Sequence, residues 1–276
     1  MPPKSVLITG CSEGGIGAAL AAEFHAQGCR VFATARNVGK MDALSKLGVQ
    51  TLELDVNSDA SIAAAVAAVR KDTGGSLDFL VNNAGISYFM PFADSKVEEL
   101  RRVMETNVVA VFAVTHAFLP LLIEARGTVA TVGSINEVFN PPFQVAYNAS
   151  KAAVHAIART LRVELAPLGV KFVTLITGGV STKLFDNAPT ELPEGSVYSP
   201  VKQLVEKREF LNDATFLEAE EYAKQVVGDL LRPKPKLNIW RGGMITFAWI
   251  LSWFGWEGML DSSMAKGFQL NKVHPR

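Results

Sequence analysis

Short runs of apolar and β-branched residues alternate with stretches of helical period over the first 180 positions. Residues 5–9, 30–34, 51–54, 78–82, 128–132 and 171–176 read as strands. Little polar alternation interrupts them, as in strands covered on both faces of a parallel sheet. Helical patterns fall between them, over residues 17–27, 40–47, 58–71, 96–124 and 144–166, and Pro167 and Gly169 stop the last. This alternation implies right-handed crossovers and predicts an α/β fold with a doubly wound parallel sheet.

Past Val180 the rhythm changes. Residues 181–215 hold scattered prolines (Pro189, Pro193, Pro200) and no clear period, which predicts a long, partly helical insertion of the kind that often serves as a functional loop. Residues 218–231 return to a helix with acidic Glu218, Glu220 and Glu221 in its first turns, and residues 237–241 read as a last strand. We divide the chain into a catalytic domain, 1–238, containing a substrate loop at 181–216, and an apolar C-terminal extension, 239–276.

Composition adds two constraints. With 276 residues, 49% hydrophobic and 20% charged, the chain can build a sizeable core. Its 27 basic residues balance 27 acidic ones, so no basic surplus points to nucleic acid. The four tryptophans are unevenly spread: Trp240, Trp249, Trp253 and Trp256 fall within 17 consecutive residues. No basic region precedes a long apolar segment at the start, so no secretory signal is read there. Cys11 and Cys29 are too few for a disulfide framework and read as small buried hydrophobes, which points to a reduced, cytoplasmic setting. His25, His116, His155 and His274 show no ligand-like spacing, and no metal site is expected.

Candidate chemistry sits at the strand ends. Thr9, Gly10, Cys11, Ser12, Glu13, Gly14, Gly15, Ile16 and Gly17 follow the first strand and open the first helix. Glycines there allow a sharp turn and close approach of a pyrophosphate to the helix N-terminus, a Rossmann-like arrangement. At the end of the second strand Ala35 stands where an acidic residue would hold a free ribose, and Arg36 follows it; this favours NADP(H) over NAD. Asn82, Asn83, Ala84 and Gly85 end the fourth strand, at the edge where ligands of such sheets bind. Tyr147 and Lys151 share one helical face. An ammonium beside a phenol lowers its pKa from about 10 and makes it a proton donor or acceptor. Ser134 offers a hydroxyl for a substrate carbonyl.

These motifs in this order resemble the short-chain dehydrogenase/reductase family over residues 5–182. The resemblance implies a catalytic set of Ser134, Tyr147 and Lys151, with Asn107 holding a water of the proton relay. It implies cofactor contacts from Gly10, Ser12, Gly15, Ile16, Gly17, Arg36, Asp55, Val56, Asn83, Ala84, Gly85, Tyr147, Lys151, Gly178, Val180 and Thr182. Two departures stand out. The glycine turn is one residue longer than usual, so that Gly14 is an alternative to Gly15. Thr177 replaces the proline that usually precedes Gly178, which predicts a less rigid start to the substrate loop.

Residues 176–180, 222–227, 240–242 and 268–273 are similar to those of fungal NADPH-dependent 1-acyldihydroxyacetone-phosphate reductases. These reduce a lipid ketone and associate with lipid droplets and endoplasmic reticulum. Reductases of fungal secondary metabolism are similar too, and motifs do not separate the two. The resemblance thus implies reduction of a ketone on a hydrophobic substrate, with a non-catalytic cofactor-binding sensor or an epimerase or dehydratase as alternatives. It also implies a homo-oligomer built on the helices at 96–124 and 144–166. Residues 244–256 carry no charge. Three placements fit them: a cover over the substrate cleft or a subunit interface, a peripheral membrane or lipid-droplet contact through 240–256, or a re-entrant or spanning segment. Phe89, Phe92, Phe139, Phe143, Phe185 and Phe216 fall in the loops expected to set specificity.

Overall fold

The computed structural model describes residues 2–184, 191–212 and 215–274. Phe185 and Pro189, both singled out from the sequence, lie outside the described residues. The chain runs β1 (Ser5–Ile8), α1 (Ile16–Ala26), β2 (Arg30–Ala35), α2 (Asp42–Lys46), β3 (Gln50–Glu53), α3 (Asp59–Thr73) and β4 (Phe79–Asn82). It continues through α4 (Val97–Met104), α5 (Ala110–Ala125), β5 (Thr128–Val132), α6 (Asn136–Phe139), α7 (Val145–Glu164) and β6 (Lys171–Thr177). Past the long loop come α8 (Lys202–Glu206), α9 (Ala219–Leu230), β7 (Asn238–Arg241), α10 (Ile245–Phe254) and α11 (Asp261–Gly267).

The strands form one sheet in the order β3-β2-β1-β4-β5-β6-β7, and every pairing is parallel. The predicted doubly wound α/β fold is thus present. Alternation within each strand explains why both faces need covering. Val6 and Ile8 point to the layer of α1 and α9, where they meet Phe24, Val31 and Tyr222. Leu7 points the other way, to Phe32, Leu80, Phe118, Val129 and Phe172 under α3, α5 and α7. Each fully buried Phe or Leu in these layers contributes about 1.5–3 kcal/mol. The strand order changes direction between β1 and β4, so the carboxyl ends of these two strands flank the crevice where such folds bind ligands.

The helix predicted over 96–124 is interrupted. A π-helical turn, Glu105–Val109, joins α4 to α5. The combined helix, Val97–Ala125, is long and apolar enough to cross a membrane by length and composition, but one side of it is core, including Val103, Val114, Phe118 and Leu121.

The long loop is partly helical, as its composition predicts. The Trp-rich segment divides between layers. Trp240 lies in β7, and the inner face of α10 buries Ala248 and Leu251. Outside, Phe247, Trp249, Ile250, Trp253, Phe254 and Trp256 are exposed, Trp253 to 71% and Phe254 to 75%.

Candidate active site

The turn after β1 holds Gly10 at φ 74° and Gly14 at φ 78°, left-handed conformations that glycine adopts without strain. Gly17 is required by space: a Cβ there would stand 2.5 Å from both Asn83 Nδ2 and Gly10 O. Gly15 caps α1 in extended conformation, φ −113°. The extra residue of the turn is thus absorbed as a left-handed step at Gly14, and Gly15 leads into Ile16 at the helix start. No side chain caps this helix and no acidic residue lies in its first turn. Its N-terminal amides remain for an anion.

Thr9, which opens the motif in the sequence without a role of its own there, ties this turn to β4. Its Oγ1 accepts from Asn83 N at 3.0 Å and Ala84 N at 2.9 Å. Asn83 Nδ2 donates back to Thr9 O at 2.8 Å and Gly10 O at 3.0 Å. The Asn83 side chain therefore braces the glycine turn rather than projecting from it. Gly10 and Ala84 touch so closely that a Cβ on Gly10 would stand 2.8 Å from Ala84 Cα. A hydroxyl immediately before the first glycine was the available signal.

Asn107 sits in the π-helical turn and is buried. Its Oδ1 accepts from Ile86 N at 2.8 Å, and its Nδ2 donates to Ile86 O at 2.9 Å and Ser150 Oγ at 3.0 Å. The widened turn aims a core-facing amide at the chain just past Gly85 and at α7 together, a local distortion typical of functional sites.

Tyr147, Lys151 and Ser134 come together as expected. Ser134 follows β5, and its hydroxyl hydrogen-bonds the Tyr147 phenol and accepts from Asn136 N at 3.1 Å. Lys151 Nζ lies 5.5 Å from the Tyr147 ring centroid and donates to Val132 O at 2.8 Å. Part of the tyrosine side chain meets solvent. Burial still pushes its phenol up to about 12, against a lowering from the Ser134 hydrogen bond. Burial also pulls Lys151 down to about 8. The sequence expectation of a lowered phenol pKa is corrected here: desolvation outweighs the Ser134 hydrogen bond, and Nζ is turned to Val132 O at the end of β5. The phenol is accordingly protonated at neutral pH.

The remaining predicted residues lie around the same sheet edge. Arg36 is exposed after β2 and makes no ion pair among the described residues. Asp55 follows β3, with its Oδ1 accepting from Asn57 N at 3.0 Å, and Val56 beside it is buried. Gly178 N donates to Arg241 O at 2.8 Å, Val180 is buried, and Thr182 Oγ1 accepts from Leu184 N at 3.4 Å. Ser12 and Ile16 are half-buried in the turn ahead of α1 and at its first residue. The loop start is firmer than the loss of proline predicts. Thr177 Oγ1 and Tyr222 Oη share a buried hydrogen bond of 2.7 Å, and Gly179 N donates to Gly243 O at 3.1 Å.

The loops expected to set specificity pack aromatic side chains together. Phe143 adopts φ 67°, strained for a bulky residue, and Met90 N donates to its carbonyl at 2.7 Å. Its ring meets Phe89, Tyr198 and Phe268 edge-on, with centroids 5.5–5.8 Å away. Phe210 stacks on both Phe89 and Phe268. The long loop and the C-terminal tail therefore close over the loop after β4. Phe139 serves α10 instead, stacking on Phe247 at 5.7 Å, while Phe92 and Phe216 are exposed.

The family model for short chain dehydrogenases matches residues 4–193. The chain belongs to this family. This short-chain dehydrogenase is 42% identical to a short-chain dehydrogenase/reductase of Pestalotiopsis microspora, over 99% of this chain and 97% of that protein. It is 43% identical to the NADPH-dependent 1-acyldihydroxyacetone phosphate reductase of Schizosaccharomyces pombe, over 87% of this chain and 86% of that one. A solved short-chain dehydrogenase from Streptomyces avermitilis matches with TM-score 0.78 and 29% identity, covering 99% of this chain and 97% of its own.

Proposed function

We propose that this enzyme is an NADPH-dependent reductase of a ketone on a hydrophobic substrate, with Tyr147 as proton donor. The observation that carries the reading is the Tyr147 phenol, held in its protonated form by burial and hydrogen-bonded to Ser134, one turn before buried Lys151. The cofactor fits the residues present. Gly10 and Gly17 let the turn pack against Ala84 and Asn83 where a Cβ would clash, and Ser12, Gly15 and Ile16 lead into an uncapped helix start whose amides are free for a pyrophosphate. Arg36 would meet a 2′-phosphate, and Asp55 and Val56 the adenine side. Asn83, Ala84, Gly85, Tyr147 and Lys151 would line the nicotinamide ribose, and Gly178, Val180 and Thr182 the carboxamide. The Schizosaccharomyces pombe relative is named as NADPH-dependent, in keeping with Arg36.

NADPH, when bound, supplies a hydride. Ser134 Oγ orients the substrate carbonyl by hydrogen bonding. Tyr147 gives its proton to the carbonyl oxygen as negative charge develops there, and the resulting phenolate is stabilised by the Lys151 ammonium. Asn107 keeps the chain after Gly85 and Ser150 in place beneath this set. The buried aromatic cluster of Phe89 and Phe143, with Phe210 packed against it, makes the loops beside this set apolar, in keeping with an apolar substrate.

The test is loss of NADPH absorbance across a panel of long-chain and polycyclic ketones. Tyr147→Phe lowers the rate by more than ~10²-fold, and an unchanged rate would sink the assignment. NADPH binding without turnover favours a sensor. Product without net cofactor consumption favours an epimerase or dehydratase.

Two placements complete the proposal. The exposed face of α10 docks peripherally on a lipid surface, as the endoplasmic reticulum or a lipid droplet presents. The exposed apolar residues Val109 of the π-helical turn, Phe112 of α5, and Val145 and Val163 of α7 pair two copies of the chain. Light scattering of a Phe112→Glu, Val145→Glu variant tests the second, with dissociation expected.

A further inference from the structure

Tyr147, Lys151 and His155 are spaced by four along α7, which places them on one helical face. Tyr147 and Lys151 have roles in the proposed chemistry; His155 has none, yet it is as enclosed as Lys151, at 4% exposure. Its Nε2 accepts from the backbone N–H of Ser134 at 3.4 Å. Its Nδ1 contacts Glu137 Oε2, and Glu137 lies one turn beyond Ser134 on α6. Arg159, four residues further along α7 and exposed, approaches the same carboxylate oxygen at 3.6 Å.

The hydrogen-bonding chemistry fixes the tautomer. An amide N–H can only donate, so Nε2 must present a lone pair, and the proton resides on Nδ1 facing the Glu137 carboxylate. Space fixes the position. Gly133 lies between the two β5-end groups that this helical face holds, Val132 O on Lys151 and Ser134 N on His155. A Cβ on Gly133 would stand 2.2 Å from His155 Nε2 and 3.0 Å from its Cδ2. The absence of a side chain at 133 is thus what lets the imidazole reach Ser134.

We infer that Glu137 and His155 form a positioning dyad for Ser134. Glu137 holds the imidazole in its Nδ1–H form, and the imidazole holds the Ser134 backbone, so that the hydroxyl faces Tyr147. This rests on the proposed reductase reading. It adds two residues outside the reacting set, which act through Ser134 and touch neither substrate nor cofactor.

The test pairs a substrate-free readout with kinetics. In protein labelled with [15N]histidine, with a His155→Gln variant to assign the signal, nitrogen shifts report a neutral imidazole protonated at Nδ1. That proton resonance is lost in Glu137→Leu and kept in Glu137→Gln, which retains an acceptor oxygen. With the most active ketone of the panel, Glu137→Leu lowers kcat by roughly 10- to 10²-fold, the scale of a displaced reacting group, and leaves the NADPH dissociation constant unchanged. Glu137→Gln restores most of kcat. A purely structural ion pair predicts instead that Gln behaves as Leu, and that result overturns the dyad. So does an Nε2–H or doubly protonated His155 at neutral pH, or wild-type kcat in Glu137→Leu. Should the wild-type protein reduce no ketone, the reductase reading falls, while the tautomer measurement still decides the hydrogen-bond geometry by itself.

Discussion

Burial holds Lys151 at a pKa of about 8, well below its usual 10.5, and this makes the active site a cost to the fold. A depressed lysine stabilises the folded state fully only above pH 10.5, and that contribution is lost as the pH falls through 8. At pH 7 the folded protein therefore carries a buried ammonium at a penalty of about 3 kcal/mol, partly offset by its hydrogen bond to Val132 O. Lys151→Met is expected to raise the thermal midpoint of the cofactor-free protein at pH 7. The gain shrinks as the pH approaches 10.5, and turnover is abolished throughout. A lower midpoint at pH 7 would show that the Val132 contact outweighs the buried charge. The glycine turn supports a second residue-level prediction. Gly17→Ala places a Cβ 2.5 Å from Gly10 O and Asn83 Nδ2, so it weakens NADPH binding by well over tenfold or prevents folding. Gly15→Ala, at an ordinary φ with one contact of 3.2 Å to Ser12 O, costs under about 1 kcal/mol in thermal stability. Spacing alone located the glycines, but which of them is short of room depends on Asn83, more than sixty residues away in the chain.

At the scale of elements, the join between β6 and the substrate loop is held by a side-chain pair instead of a proline ring. Tyr222 in α9 is fully buried and its hydroxyl meets Thr177 at 2.7 Å. Tyr222→Phe leaves the Thr177 hydroxyl with only its 3.2 Å bond to Leu175 O. It is expected to cost about 1–2 kcal/mol in chemical denaturation, with faster hydrogen exchange confined to the residues after Thr177. Exchange that is unchanged there would mean the Gly178–Arg241 and Gly179–Gly243 backbone bonds suffice. Strands and most helices were legible in the sequence, because strands buried on both faces leave continuous apolar runs and α7 ends just ahead of Pro167. The break at Glu105–Val109 was not: a π-helical turn changes hydrogen bonding by one residue without changing the apolar period around it. The Thr177–Tyr222 bond was equally hidden, since 45 residues separate its partners. Likewise, His155 read as an ordinary histidine because Glu137 and Gly133 become its neighbours only when β5 and α7 pack together.

For the whole molecule, the C-terminal extension does two things at once. Its tail seals the aromatic wall through Phe268, while α10 packs on α6 through Phe139 and Phe247 and turns Trp249 and Trp253 outward, with exposed Trp256 just beyond it. Ten residues of helix extend about 15 Å, half the thickness of a hydrocarbon core, so α10 by itself has the dimensions to lie along a membrane surface and not to cross it. No charged residue falls between Arg241 and Glu257, so the proposed lipid docking of this face would depend on buried apolar area and only weakly on anionic lipid. Neutral phosphatidylcholine vesicles are therefore expected to co-float with the protein at both low and high salt. Tryptophan emission should shift to the blue as Trp249, Trp253 and Trp256 leave water. Replacing Trp253, Phe254 and Trp256 together by Ser removes three side chains that are 69–75% exposed. That change should leave the thermal midpoint within about 2 °C, on the scale of surface substitutions, and lower the vesicle partition coefficient by roughly 10²-fold or more. Retained flotation in this variant would refute lipid docking. A smaller particle on size-exclusion chromatography with flotation unchanged would instead assign the face to a second copy of the chain. Because α6 begins two residues after Ser134, a lipid surface held against α10 would bring an apolar ketone to the same side of the molecule as the proton donor.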